Sequence, residues 1–258
     1  MKKTIYVIAI VLSMLLPRQT MAECVLDSLQ LKVRAGYEIG GTSPIPLPAT
    51  IRSIDSYKLT PSFMVGFDAE YPIDCKWGVL AGVHVENKGM DGKVTTKAYK
   101  MDMRRGDSRM DGLFTGKVHQ KVRQWMVTIP VQATFTVSQK VKLKGGPYLS
   151  VLFDKNFDGI ASDGYLRQGT PVGAKILIGS VEGEWATYDF SEEMRTLQFG
   201  LDLGVDWQVG RKIGVSADLS WGLTGIFKSD FKTVEQTLYP IYFSIGAFYK
   251  LKKTTTNP

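Results

Sequence analysis

The chain has 258 residues, of which 44% are hydrophobic, and its 32 lysine and arginine residues outnumber its 25 aspartate and glutamate residues. Without the first 22 residues, 29 basic residues stand against 25 acidic ones, an ordinary surface charge that argues against a nucleic-acid-binding role. After residue 22 no apolar run approaches the roughly 18 residues that a membrane-spanning helix needs, which argues against a helical membrane protein.

The beginning of the chain has the pattern of a secretory signal peptide. Two lysines precede an apolar run from Ile5 to Leu16, and the small residue Ala22 closes the pattern. This apolar core is too short to remain in a bilayer as a membrane-spanning helix. We therefore predict a signal peptide over residues 1–22 and an exported mature chain over residues 23–258.

Strict alternation of apolar and polar residues recurs along the mature chain, and this period of two is typical of β-strands with one apolar face. The clearest case runs from Leu197 to Val209. Each alternating segment reaches the roughly nine to eleven residues with which a tilted strand crosses a membrane. In chain order, the predicted strands cover residues 30–39, 62–71, 77–86, 125–135, 141–153, 197–209, 213–221 and 241–251.

The connections between these strands alternate between long and short. Pro44, Pro46 and Pro48 lack the N–H group that a strand ladder needs, so the segment after the first strand is predicted as a loop. Residues 87–122 are polar and glycine-dotted, which indicates a long loop or an extension of the hairpin, and residues 154–193 are predicted as another long loop. This asymmetry is typical of outer-membrane barrels.

Residues 23–258 are therefore predicted to form an all-β, eight-stranded antiparallel up-and-down transmembrane β-barrel. Short periplasmic turns and long extracellular loops would join its strands, and both termini would lie in the periplasm of a Gram-negative cell envelope. Aromatic residues at both ends of the strands support this prediction, because such girdles form at membrane interfaces. They are Tyr71, Trp77, Phe135, Trp207 and Tyr249 at the short-turn ends, and Tyr37, Trp125, Phe153, Trp221 and Tyr239 at the long-loop ends.

A soluble eight-stranded barrel would also alternate, with its apolar face inside. The interior of such a barrel is only just wide enough for side chains, and the apolar face here is too bulky for it. The polar face must then line the lumen, where its charges either pair and close the barrel or line a water-filled channel. Eight strands favour the closed barrel. The predicted lumen charges are Lys32, Arg34, Asp68, Glu70, Glu86, Lys142, Lys144, Asp202, Asp206 and Asp218.

Few residues suggest chemistry. His84 is predicted to lie near Glu86 in the lumen, but no nucleophile motif accompanies the pair, so we predict no enzymatic activity. Residues 154–159 match the first half of a calcium-binding loop, but Tyr165 replaces its final glutamate. We therefore predict no metal and no cofactor.

Two cysteines, Cys24 and Cys75, lie in the exported part of the chain, where disulfides are permitted. Cys24 precedes the first predicted strand, and Cys75 lies in the turn after the second. Both are therefore expected at the same rim on adjacent strands, and a disulfide between them is predicted.

Six segments resemble the PorT-like outer-membrane β-barrel family, also called porin-family proteins, and together they span the mature chain. The resemblance implies an outer-membrane location without catalytic residues, and some relatives take part in protein secretion or gliding. The last strand also resembles the signal read by the barrel-assembly machinery, with Ser244, Gly246, Tyr249 and Leu251 at the matching positions. The six segments are residues 40–54, 85–90, 125–135, 142–153, 163–169 and 217–231.

The expected function is thus non-catalytic: a structural or binding role through the extracellular loops, with a possible link to secretion. A narrow porin-like channel for small solutes is the alternative. The expected partners are outer-membrane lipid, the barrel-assembly machinery during insertion, and a ligand or protein at the loops that the sequence does not identify.

Overall fold

Eight long strands close into a ring in the computed structural model of the chain, which describes residues 28–58, 60–231, 233, 237–251 and 254–255. No helix in this part of the chain is long and apolar enough to cross a membrane. The elements are β1 (Ser28–Pro44), β2 (Ile51–Lys58), β3 (Phe63–Pro72), β4 (Trp77–Arg105), β5 (Ser108–Thr136), β6 (Val141–Gln168), β7 (Lys175–Ile178), β8 (Ala186–Asp189), a short 3-10 helix (Ser191–Glu193), β9 (Leu197–Gln208), β10 (Ile213–Gly222), β11 (Leu238–Lys250) and β12 (Thr254–Thr255).

The ring runs β1-β3-β4-β5-β6-β9-β10-β11, and β11 pairs back onto β1. Each neighbouring pair is antiparallel, and the closing pair keeps an unbroken register from Lys32 opposite Lys250 to Pro44 opposite Leu238. A closed ring leaves no unpaired sheet edge within it. The predicted eight-stranded antiparallel barrel is confirmed.

The two faces of the barrel wall differ along its membrane-crossing part. On β9, Phe199, Leu201 and Leu203 are exposed on the outside, while Asp202 and Asp206 are buried in the lumen. Lipid can cover exposed apolar side chains of this kind, whereas polar groups must find partners inside. The outward-apolar, inward-polar arrangement predicted from the alternation is therefore present.

Two segments predicted as loops are partly β-strand. β1 continues beyond Ile39 to Pro44, and a further strand, β2, pairs with residues 91–96 of β4. Pro44 is tolerated because it is the last residue of its strand. The segment predicted as a loop over residues 154–193 is also wrong in large part, because β6 runs on to Gln168 and pairs with β7 and β8.

The stretch from residue 87 to 122 extends the hairpin, which was one of the two interpretations of its sequence. The sequence of β5 explains why the hairpin is extended, because its alternation of apolar and polar residues continues with the polarity of the two faces reversed. Before Val122 the buried positions include Met110, Phe114 and Val118, while the outward positions are mostly charged or polar. From Gln124 onward the inside is mostly polar, and from Trp125 onward the outside is apolar.

We call the height of Lys88 on β4 and of residues 122–125 on β5 the reversal level. One side of this level faces the short turns. On the other side, the wall is apolar inside and polar outside, as in a soluble protein. The part beyond it, which we call the extension, consists of residues 89–122 of the β4–β5 hairpin, residues 154–168 of β6, and β2, β7 and β8.

A β-bulge in β6 hides this pattern in the sequence. Trp125 pairs with Asp154 but Met126 pairs with Leu152, so Phe153 is an extra residue. The inward positions therefore change from even to odd numbers, and both Leu152 and Phe157 are buried. A period-2 pattern that shifts by one residue cannot be followed through a bulge by counting.

A hydrophobic core joins the extension to the connections that follow β8 and β10 and to the start of β11. Its aromatic centre packs Phe157 against Phe227 with ring centroids 4.8 Å apart and Phe190 against Phe231 at 5.1 Å. The buried members of this core are Met101, Met103, Met110, Phe114, Val118, Val122, Phe157, Ala161, Leu166, Ile178, Ala186, Tyr188, Phe190, Met194, Ile226, Phe227 and Leu238.

Candidate functional site

Ion pairs fill the lumen near its short-turn end. Arg34, on β1, is buried, and its guanidinium donates from Nε to Asp68 Oδ2 at 2.9 Å and from Nη1 to Asp218 Oδ2 at 3.2 Å. It also donates to both oxygens of Asp206 at 3.3 Å. Three carboxylates from three other strands thus converge on one guanidinium, whose planar fork of donors suits such contacts.

Three lysines complete this arrangement. Lys32 Nζ lies 2.8 Å from Glu70 Oε2 and 3.1 Å from Asp206 Oδ2. Lys144 Nζ lies 3.0 Å from Asp206 Oδ1 and 2.7 Å from Asp218 Oδ1, and Lys142 Nζ lies 2.5 Å from Glu70 Oε1. The structure therefore joins eight of the ten predicted lumen charges into what we call the lumen network: Lys32, Arg34, Asp68, Glu70, Lys142, Lys144, Asp206 and Asp218.

The other two predicted lumen charges lie nearer the reversal level. Glu86 accepts hydrogen bonds from Lys88 Nζ at 2.6 Å and from Thr128 Oγ1 at 3.0 Å. Asp202 accepts a hydrogen bond from Gln132 Nε2 at 3.3 Å and forms no ion pair within the described residues. Both face the lumen, but neither makes an ion pair with the network around Arg34.

His84 links the two levels. Its Nε2 lies 2.8 Å from Asp68 Oδ1 and its Nδ1 3.8 Å from Glu86 Oε1. The predicted proximity of His84 and Glu86 is present, but the shorter contact is to Asp68. Both ring nitrogens face carboxylates inside a filled lumen, which is the environment of a structural histidine.

Little free space remains around these groups. The pocket bordered by Arg34, Asp68, His84 and Asp218 has a volume of about 20 Å³. One water molecule needs about 10–15 Å³, so this pocket holds about one. The charged groups therefore fill this part of the lumen.

Lys88 was not among the predicted lumen charges, because its segment carried no clear alternation. It is buried, lies 3.7 Å from Glu38 Oε1, and is covered by the rings of Tyr148 and Tyr242, whose centroids are 5.8 and 5.4 Å from its Nζ. The continuing alternation of β5, read with reversed polarity, is the signal that would have extended the neighbouring strand to include it.

Of the two cysteines in the predicted disulfide, Cys75 alone lies among the described residues. Cys75 is exposed in the turn between β3 and β4, as expected. Cys24 lies outside the described residues, as does the predicted signal peptide, so the bridge and the cleavage after Ala22 stay predictions.

A second feature, absent from the sequence predictions, is a cavity of about 310 Å³ inside the extension. Ligand pockets typically measure about 300–1,000 Å³ and are mostly apolar. The walls here are mainly apolar and include Met90, Met101, Phe157, Phe190 and Leu238. The cavity sits beyond the reversal level, while the lumen network lies on the membrane side of it.

The family described as "Outer membrane protein beta-barrel domain" matches residues 19–228, more than three quarters of the chain. No curated protein matches the chain.

Among solved structures, the chain is similar to Ail, the attachment invasion locus protein of Yersinia pestis, in complex with the heparin analogue sucrose octasulfate. Identity is 13%, the TM-score is 0.38, and 87% of this chain and 99% of that one are covered. Neisserial surface protein A has 12% identity, a TM-score of 0.35 and coverages of 86% and 97%. OprG from Pseudomonas aeruginosa has 11% identity, a TM-score of 0.34 and coverages of 87% and 97%. Similarities this weak carry no argument about function.

Proposed function

Because the chain belongs to the outer membrane protein beta-barrel domain family, we propose that it is a closed outer-membrane barrel that works by binding through its extension and has no catalytic activity. The observation that carries this proposal is the lumen network. Charged side chains from β1, β3, β6, β9 and β10 meet across the barrel axis and leave a pocket of about 20 Å³. Removing one partner from a buried ion pair leaves an uncompensated charge, so such a network does not open readily.

The proposed orientation places the short turns and both termini in the periplasm and the extension outside the cell. Support comes from the asymmetry of the connections, because outer-membrane barrels carry their longer loops on the outside. A cleaved signal peptide over residues 1–22 is part of this proposal, and insertion by the barrel-assembly machinery is expected from the last strand. The exposed apolar side chains between the two girdles would contact membrane lipid.

The finer assignment is to the PorT-like type, with a structural or binding role linked to protein secretion. It rests on the six resembling segments, three of which overlap the extension: residues 40–54, 85–90 and 163–169. Affinity capture of crosslinked protein from intact cells, followed by mass spectrometry, would identify the partner. Recovery of secretion components above the level obtained with an unrelated barrel is the expected result.

Conductance in planar bilayers tests the closed barrel. The folded protein should produce no steady single-channel currents, because no continuous water path crosses the lumen network. A general porin inserted under the same conditions shows that the assay detects open barrels. Steady currents from this protein would overturn the closed barrel and establish the alternative, a narrow channel for small solutes.

A further inference from the structure

The cavity in the extension has the properties of a ligand site. Its assignment as a ligand site rests on the proposed binding function. Its walls come from seven strands, and the lining residues include Thr42 on β1, Ile54 on β2, Met90 and Met101 on β4, Val118 on β5, Phe157 on β6, Tyr188 on β8 and Leu238 on β11. Protein cores are normally packed without voids of this size, because each void forfeits dispersion contacts. A partly open cavity of about 310 Å³ that is lined in part by residues of the hydrophobic core is therefore a feature to explain.

Two buried hydroxyl groups on residues of the cavity wall do not open into it. Thr42 Oγ1 and Tyr188 Oη are both inaccessible to a water-sized molecule, and they form no hydrogen bond within the described residues. A Cβ atom at Gly159 would lie 2.2 Å from Tyr188 Oη, so this hydroxyl packs against β6. The surface that the cavity offers a ligand is therefore mainly apolar.

The cavity also has an entrance. Beyond Glu38, β1 has no ladder pairing with β3, and β2 pairs with β4, so no described backbone pairing joins β1 to β2. Tyr57 Oη donates a hydrogen bond to Gly40 O across this seam. The cavity-lining side chains at the seam, Leu47, Ile54 and Tyr57, are more than two fifths exposed. An apolar molecule would thus meet apolar side chains on its way in.

We propose that this cavity binds a small, uncharged, mainly apolar molecule, held by the methionine, aromatic and aliphatic side chains of its walls. Charged ligands are disfavoured, because no lysine, arginine, aspartate or glutamate among the described residues lines the cavity. The ligand class is that of medium-chain hydrocarbons and their uncharged derivatives, such as medium-chain alcohols.

Photolabelling of the full-length protein in lipid nanodiscs tests this site. The probe is 3-azioctanol, an eight-carbon alcohol with a photoreactive diazirine, and labelled residues are mapped by mass spectrometry. Labelling of cavity residues such as Met90 and Tyr99 should saturate and should be competed by 1-octanol. Labelling of lipid-facing residues such as Leu203 should rise linearly and resist competition. Linear, uncompeted labelling everywhere would overturn the proposal.

Matched variants test whether the saturable labelling arises inside the cavity. Gln120→Trp fills the cavity from β5, whereas Lys121→Trp places the same side chain on the outer face of the same strand. Saturable labelling should disappear in the first variant and persist in the second. Ser56→Trp, which fills the cavity from β2, replaces Gln120→Trp if that variant fails to show the gel mobility of a folded barrel. Persistence of saturable labelling in a folded, filled variant would contradict the site.

Saturable labelling together with steady bilayer currents would refute the closed barrel and leave the ligand site standing, so the two proposals fail separately.

Discussion

At the scale of single residues, the stability of the lumen depends on how many ion-pair partners each charged side chain has. Asp206 receives contacts from Lys32, Arg34 and Lys144, whereas Asp202 accepts a hydrogen bond from Gln132 and makes no ion pair within the described residues. The two aspartates are four residues apart on one strand and look alike in the sequence. Only the neighbouring strands make them different.

This difference predicts unequal effects of removing the charge. Asp206→Asn leaves three cations with one carboxylate fewer and should reduce the free energy of unfolding by about 3–5 kcal/mol. Asp202→Asn, the matched control, should cost about 1 kcal/mol or less. Urea unfolding in detergent, followed by the gel mobility of unheated samples, measures both. Equal losses would show that the network around Arg34 is not the stabilising unit.

Glycines on the inner face make room for these charged groups. A Cβ atom at Gly204 would lie 1.9 Å from Asp218 Oδ1 and 2.7 Å from Lys144 Cε, so the ion pair would have to move. At Gly210, in the turn after β9, the nearest atom would be 4.0 Å away.

Gly204→Ala should therefore lower the free energy of unfolding by about 1–3 kcal/mol through overpacking of the lumen. Gly210→Ala should leave it nearly unchanged, because that site is open. The same unfolding assay compares the two. A small effect at Gly204 would mean that the network tolerates rearrangement and is less tightly packed than the contacts indicate.

At the scale of elements, the reversal of face polarity along β5 tells where the strand leaves the membrane. Its outward positions are apolar from Trp125 onward and mainly charged or polar before it. The exposed ion pair between Arg123 Nε and Asp154 Oδ2, at 3.8 Å, lies just beyond the aromatic girdle. One strand thus passes through two environments while its backbone ladder continues.

Lysine substitutions on the two sides of this level test the assignment. Ile129→Lys introduces a charge into the lipid-facing band and should cost about 2–4 kcal/mol of folding free energy in a bilayer. Leu177, on β7, is also an exposed apolar residue but lies in the extension, so Leu177→Lys should be nearly neutral. Refolding titrations into lipid vesicles provide the measurement, and similar costs at both sites would contradict the membrane boundary.

At the scale of the whole molecule, the barrel joins two bodies with opposite interiors. One has a charged interior and an apolar surface, and the other has an apolar core with a cavity and a polar surface. The strands β4, β5 and β6 run through both. This continuity places the proposed ligand cavity next to the lumen network along the same strands.

The orientation of the molecule can be tested by proteolysis of intact cells. The tip of the β4–β5 hairpin exposes Arg104 and Arg105, and the opposite end exposes Arg211 and Lys212. Trypsin should cleave at the hairpin tip in intact cells and at residues 211–212 only after the outer membrane is permeabilised. Cleavage in the reverse order, mapped by mass spectrometry, would invert the proposed topology.

The sequence by itself determined the eight strands of the ring and their inward and outward faces, and it assigned ten charged residues to the lumen but missed Lys88. It could do so because lipid on one side and a narrow polar lumen on the other impose a period of two along each strand. The contacts of Lys32 with Asp206, 174 positions apart, depend on the register between strands, which no local pattern contains.

Only the tertiary structure decided the extension, its core and its cavity. Beyond the reversal level water replaces lipid, so the same alternation carries the opposite meaning, and the bulge at Phe153 shifts it by a further residue. Local sequence cannot say which medium surrounds a strand. The cavity, in turn, is a volume that several strands leave empty together, and it exists only once they are assembled.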